Sequence, residues 1–384
     1  MKKKWTPVFW AYCILFGIVS LLLLAYSYTQ VDLSLTLSKA SIVQDIQKVF
    51  QHIGYFNRSV SAGIFSVIIL TMFVLYGFIL RDILQKRLAL RDVWILIAVL
   101  ILFLVISYPA FSYDFYNYLF TAKTVLIYHK NPYAVIPLQF AGIDPWLSFM
   151  HWTHLPSAYT PLWIATSLPA YFLGFGYLLT LIWSLKLVMV FAYIATIKGI
   201  QKVLDLEKSE YTVLGMAIVA FNPLIIIETL VSPHNDIVMM AIAVWSIVLY
   251  REKRIWLSWL LLSVSVAMKL MTIFLIPAFF LKWNKKIALF CISLGFMAVL
   301  TQREVLSWYW IWIVPFVALL PEYIDITILS AGISMGLVLR YVPYLYLGHW
   351  NDPVPEMKFW LTCIPVVISC VIIIVRRYIK YTRK

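Results

Sequence analysis

Apolar runs recur along almost the whole of this chain, too often and at too great a length to form the core of a soluble domain. They occupy residues 8–26, 61–80, 93–108, 177–198, 211–231, 236–250, 255–268, 270–282, 287–301, 308–320, 324–341 and 360–377. A helix needs about 17–25 predominantly apolar residues to cross the hydrocarbon core of a bilayer. Several runs reach that length, and the others approach it with snorkelling ends. The 384 residues are 63% hydrophobic and 12% charged, against about 45–50% and about 25% in soluble domains. No hydrophilic stretch is long enough for a separate soluble domain. The chain therefore reads as an all-α polytopic membrane protein with about 11–13 transmembrane helices.

Two features that imitate other classes are set aside. The start, Met1-Lys-Lys-Lys-Trp5 followed by an apolar run, lacks a small-residue cleavage site, because Ala25-Tyr26-Ser27-Tyr28 carries bulky residues. It reads as a retained first helix rather than a signal peptide. Cys13, Cys291, Cys363 and Cys370 all fall in apolar runs without paired spacing or a His cluster, as expected of thiols packed as small hydrophobes.

Positive charge orients the bundle. With the N-terminus in the cytoplasm, the inner segments carry Lys2–Lys4, Arg81/Lys86/Arg87/Arg91, Lys198/Lys202/Lys208, Arg251/Lys253/Arg254, Lys282/Lys285/Lys286 and Arg376/Arg377/Lys380/Arg383/Lys384. That is 21 of the 31 Lys and Arg residues. Nine fall outside or at outer helix ends, and Lys186 lies mid-span. The net charge of +14 is accounted for by this asymmetry and calls for no nucleic-acid partner. The same count favours a chain broken at Met268-Lys269, since one helix through 255–282 would invert everything after it. The short, Pro-punctuated run 159–173 is expected to dip into the outer leaflet and return, as backbone at membrane depth does where it lines a protein cavity.

The outer stretch 109–160 carries the densest chemistry. Asp114 sits in Tyr108-Pro-Ala-Phe-Ser-Tyr-Asp-Phe-Tyr-Asn-Tyr118, just past a span, and Asp236 ends Ser232-Pro-His-Asn-Asp236 at another exit on the same side. Residues 115–128 have helical apolar spacing and read as an interfacial helix. Each candidate also has a plainer role. Asp114 could cap that helix, and Asn235-Asp236 could cap the run that follows them. His151 and His154 have an i, i+3 spacing but no third metal ligand nearby. Trp308-Tyr-Trp-Ile-Trp312 resembles an aromatic belt. Lys186 could face the bundle interior or snorkel. Lys269 lies between two apolar half-segments, where a cation needs an anion or water. There is no Gly-x-x-x-x-Gly-Lys and no Gly-x-Gly-x-x-Gly loop to hold a nucleotide phosphate. Were the chain a transferase, its donor would not be a cytosolic nucleotide conjugate, and a donor reaching an outer site from within the bilayer would be lipid-linked.

Ordered landmarks carry a resemblance. They are Ser112-Tyr-Asp-Phe-Tyr-Asn-Tyr118, His129-Lys-Asn-Pro-Tyr133, Ala158-Tyr-Thr-Pro-Leu162, Phe221-Asn-Pro-Leu224, Ser232-Pro-His-Asn-Asp236, Met268-Lys269 before Leu275-Ile-Pro277, and Ser307-Trp-Tyr309 before Trp312-Ile-Val-Pro315. The chain resembles the GT-C superfamily of polyprenyl-phosphate-sugar-dependent glycosyltransferases. It is similar to the GT87 and mycobacterial lipoglycan mannosyltransferases and to the mannosyltransferase of GPI-anchor assembly. The resemblance implies a catalytic core over 93–320, preceded by a helix pair in 1–92 and followed by helices in 321–384. It also implies inverting transfer from a polyprenyl-phosphate donor to an extracytoplasmic glycan or glycolipid, with Asp114 as general base. Lys269, then Arg303, with His234 besides, would meet the leaving phosphate. Asp236 and Asn235 would orient hydroxyls, and Tyr133, Tyr159, Trp308 and Tyr309 would line the sugar site. The family often has an acidic pair in its first loop. Here only Asp114 stands there, so a divalent cation (Mg or Mn, on Asp114 and Asp236) is left open. Loop 27–60 carries an amphipathic stretch to which the resemblance assigns no role, and acceptor choice is expected to fall to the loops. The other readings are a transporter or lipid flippase, or a catalytically inactive subunit of the same fold.

Overall fold

A computed structural model describes residues 5–382; the Lys2–Lys4 and Arg383–Lys384 charges counted above lie outside them. Among the described residues there is no β-strand. The helices are α1 (Pro7–Tyr28), α2 (Ser41–Gln51), α3 (Arg58–Leu84), α4 (Leu90–Leu104), α5 (Asp114–Leu126), α6 (Pro161–Leu173), α7 (Leu178–Leu206), α8 (Thr212–Ala220) and α9 (Pro223–Ile226). They continue with α10 (Asp236–Arg251), α11 (Ile255–Met268), α12 (Ile276–Phe280), α13 (Lys285–Leu300), α14 (Val314–Ala318), α15 (Ile324–Leu339), α16 (Val342–Leu347) and α17 (Val354–Thr382). Local signals set many starts. Thr6, Thr160, Asn222 and Asn284 each accept a backbone N–H of the first turn, and proline follows the first three, the arrangement that pre-sets a helix N-terminus.

By length and apolarity, five helical segments are able to cross a membrane: α1, α3, α7, α15–α16 and α17. Thr212–Val231 makes a sixth if its two parts, bent by 53°, count as one. The other runs read as spans are helical but shorter, such as α4 with 15 residues, α10 with 16 and α11 with 14. The expected 11–13 crossings are thus not all full-length helices. Breaks at Asn222, Lys269 and Ile313 divide runs that look continuous in composition.

Helix α10 lies at the centre, packed between α7 and α11. Its N-terminal Asp236 and C-terminal Arg251 stand about 22 Å apart at ~1.5 Å per residue. Around Arg251 gathers a basic cluster: Arg251 and Lys285 both bind Glu207, at 3.0 and 2.7 Å, and Lys202 pairs with Glu252. The two acids of interest therefore lie at the end of the bundle opposite the basic loops. Lys186 is fully buried and donates to Leu104 O (2.9 Å), Ser107 O (2.6 Å) and Ser107 Oγ (2.6 Å). It caps the C-terminus of α4, where carbonyls lack helical partners and the dipole favours a cation.

Loop 27–60 folds into α2, and its polarity is inverted. The Gln side chains face the protein: Gln47 bonds Leu35 O and Leu37 N, and Gln51 bonds Val31 O and Asp32 O. Ile42, Ile46 and Val49 point outward and are exposed. Helix α5 forms where the spacing predicts, but most of its circumference is buried, so it roofs the protein rather than resting on its surface. Helix α6 has 13 residues, too short to cross about 30 Å of hydrocarbon, and it turns back through an exposed apolar tip at Phe172, Leu173 and Phe175. The four cysteines are free thiols. Cys291 is buried as expected; Cys370 is exposed on α17, a helix that packs mainly on α15.

Candidate active site

A cavity of about 900 Å³ opens where α5, the 157–160 loop, the α11 break and the 302–312 segment meet. Its wall has two chemistries. Asp114, Asn117, Tyr159, Asn235, Lys269, Gln302 and Arg303 make the polar part; Met268, Leu270, Met271, Val299 and Leu306 make an apolar lip. Trp308, Tyr309 and Trp312 close one side.

Asp114 occupies the first turn of α5, one residue inside the helix, and its carboxylate does not cap that helix. The side chain points into the chamber, where it is 24% exposed. Oδ1 lies 3.5 Å from the Tyr159 hydroxyl, and Oδ2 lies 3.9 Å from His234 Nε2. Its backbone N–H bonds Ser112 Oγ at 3.3 Å. Burial raises the Asp114 carboxyl above its ordinary range, and nearby Asp236 adds to this; His234 and Lys269 pull the other way. A carboxylate so shifted is a stronger base than a free aspartate.

Asp236 stands behind this wall, fully buried. Lys269 Nζ donates to both of its oxygens at 2.8 Å and to Asn235 Oδ1 at 3.4 Å. Trp312 Nε1–H donates to Oδ1 at 2.5 Å. Asp236 therefore does not cap α10 by itself; it anchors Lys269. The anchoring is made possible by the break at Lys269, whose extended backbone (φ −160°, ψ 127°) ends α11 and swings the side chain toward α10. Thr160 Oγ1 binds the freed Met268 carbonyl at 2.8 Å.

The aromatic run 308–312 is not a belt. It forms a 3-10 turn, Ser307–Trp312, in which residues three apart share a face. Tyr309 accordingly stacks on Trp312 at 4.7 Å. Trp308 stacks on the His234 ring at 4.0 Å and 12°, and Trp310 bonds Ser330.

Arg303 lines the same cavity and is exposed. Its neighbour Glu304 is taken by Arg340 and Lys358, so among the described residues Arg303 has no acidic partner. It contacts the Tyr309 hydroxyl instead. Tyr133 falls outside the chamber: it is 44% exposed, and its hydroxyl donates to Tyr159 O at 2.6 Å, which props the wall from behind. His151 stacks on Tyr113 at 3.7 Å. Among the described residues no three His, Cys, Asp or Glu side chains converge as metal ligands, and both Asp236 oxygens are already engaged. The donor set does not suit a resident divalent cation.

Glu228 escaped the sequence reading. It is an ionisable residue inside the apolar run 211–231, a signal that by default marks function. It is fully buried, 3.1 Å from His234 Nδ1.

Fold and chamber together define an all-α polytopic membrane protein whose polar groups gather at one end of the bundle around a cavity with an apolar lip. A family model described as alpha-(1->6)-mannopyranosyltransferase, N-terminal domain, matches residues 14–285, and the chain belongs to that family, MptA/B. It is a glycosyltransferase of the mannosyl-transferring kind. No curated protein and no solved structure matches it.

Proposed function

We propose that this mannosyltransferase takes its sugar from a polyprenyl-phosphate donor and passes it, with inversion, to an extracytoplasmic glycan or glycolipid. The observation that carries the reading is the chamber wall: a raised-pKa carboxylate, two cations and an apolar lip share one cavity. Leu270 is 63% exposed at that lip and Met297 is 56% exposed on neighbouring α13, a surface suited to a lipid tail. The excess of basic residues at the other end of the bundle supports cytoplasmic termini and a chamber facing outward across the cell membrane.

In this mechanism Asp114 removes the proton of the acceptor hydroxyl. The oxygen bonds to the anomeric carbon as the carbon–oxygen bond to phosphate breaks, and that electron pair leaves with polyprenyl phosphate. Arg303, free of any acid, meets the developing phosphate charge. Lys269, held by Asp236, adds a second fixed positive charge. Such pre-placed charge acts where charge develops in the transition state. Trp308, Tyr309 and Tyr159 offer faces to the sugar. The capped position of Lys186 removes one motive for a transport reading.

The test is transfer by purified protein in liposomes, offered polyprenyl-phosphate mannose or a nucleotide-linked mannose with envelope acceptors. Turnover with the lipid donor only, and its loss in Asp114→Asn with donor binding retained, is expected. Turnover with the nucleotide donor, or an active Asp114→Asn, would overturn the reading.

A further inference from the structure

We propose that Glu228 is a positioning residue for Asp114, acting through His234; this rests on Asp114 being the base. Glu228 lies in a π turn, Ile227–Val231, inserted at the end of α9, and such bulges are frequent where a side chain is re-aimed at a functional site. The turn closes on itself, His234 N–H donating to Glu228 O at 3.0 Å. Both side chains are fully buried. A buried carboxylate is costly unless paired. Tyr341 OH donates to Oε1 at 2.9 Å and in turn shares a hydrogen with Ser307 Oγ at 2.7 Å. The other oxygen, Oε2, has only His234 Nδ1, at 3.1 Å, and Nδ1 has only Oε2; their alignment is off the hydrogen-bond direction, but the distance is that of an ion pair.

The opposite edge of the same ring serves the chamber. His234 Nε2 is 3.1 Å from Ser112 Oγ and 3.9 Å from Asp114 Oδ2, and Ser112 Oγ accepts the Asp114 backbone N–H. Trp308 stacked on the ring prevents it from tilting. A proton held on Nδ1 by Glu228 therefore decides what Nε2 presents to Ser112 and Asp114. The remedy is the one buried imidazoles use elsewhere, in which a carboxylate behind the ring sets its orientation and tautomer. The charged and titratable groups facing this system are Glu228 and Asp114 on His234, Tyr341 on Glu228, and Lys269, Asp236 and Tyr159 on Asp114.

The experiment compares Glu228→Gln, His234→Gln, the double variant and Asp114→Asn, all in liposomes with polyprenyl-phosphate mannose. Glu228→Gln keeps the shape and an acceptor for Tyr341. Its kcat is expected to fall about 10- to 100-fold, as for groups that orient another, with donor KM within about twofold. Its acidic limb in the rate–pH profile should move, because the ring edge that faces Asp114, and that otherwise draws its carboxyl downward, is no longer fixed from behind. In the His234→Gln background the change should add no further loss, as for residues acting in one chain. If Glu228→Gln fails to yield monodisperse protein, Tyr341→Phe takes its place under the same comparison. A kcat within twofold of wild type, or losses that multiply in the double variant, overturns the inference while inactive Asp114→Asn leaves the base intact. An active Asp114→Asn instead brings down the base on which the inference rests.

Discussion

The Lys269–Asp236 pair yields the sharpest stability prediction, and Lys269→Met is the perturbation. Asp236 is fully buried, its two oxygens lie 2.8 Å from one ammonium nitrogen, and its remaining contact is Trp312 Nε1 at 2.5 Å. At that separation and an effective dielectric of ~20 the gross attraction is about 6 kcal/mol. Part of it is spent on desolvation, and removal of one partner from such a pair costs about 3–5 kcal/mol because the other charge stays buried. Methionine fills nearly the same volume, so little of the loss should come from packing. Adding Asp236→Asn removes the orphaned charge, and the double variant should regain more than half of what the single one loses. The assay is detergent-solubilised protein unfolded by denaturant, with wild type, both single variants and the double variant forming a cycle. A Lys269→Met protein as stable as wild type, or a double variant no better than Lys269→Met, would refute the claim that buried Asp236 and Lys269 form a mutually dependent pair behind the chamber wall. Transfer activity should follow the same order only in part, since the double variant still lacks one cation.

Arg303→Gln should leave stability within about 0.5 kcal/mol, as at other exposed positions, yet raise donor KM about tenfold, equivalent to ~1.4 kcal/mol of binding; an unchanged KM in steady-state transfer assays would remove Arg303 from the phosphate site. The acidic limb of the rate should titrate above the ordinary aspartate range, because Asp114 must be ionised to act and its folded pKa is raised. The sign for stability is opposite: the folded state holds that proton more tightly than the unfolded chain, so protonation at falling pH stabilises, and Asp114→Asn should melt no lower than wild type at neutral pH. Lys186→Met should cost about 2 kcal/mol or more by taking from the Ser107 carbonyl its ammonium donor, with kcat per folded molecule unchanged; a normal melting temperature would argue against the capping role.

Composition and period were enough for a good deal of this molecule. Twelve apolar runs announce a polytopic helical bundle, since a 3.6-residue period filled with Leu, Ile, Val and Phe leaves no other way to satisfy the backbone in lipid. Local chemistry marks the helix starts at Thr6, Thr160 and Asn222, the broken chain at Lys269 and the shortness of Pro-punctuated α6. Asp114, Asn235, Lys269, Arg303, Tyr159, Trp308 and Tyr309 were all legible as polar or aromatic groups at the ends of apolar runs, and all line one cavity. Partnership was not legible, because it joins residues far apart in the chain: Lys269 with Asp236 and Trp312, Glu228 with His234 and Tyr341, Lys186 with the end of α4. Which acid is neutralised and which is left facing the cavity depends on those pairings. Hydrophobicity acts through area and reads directly from residue type, whereas a hydrogen bond or ion pair depends on tenths of an ångström that packing alone supplies.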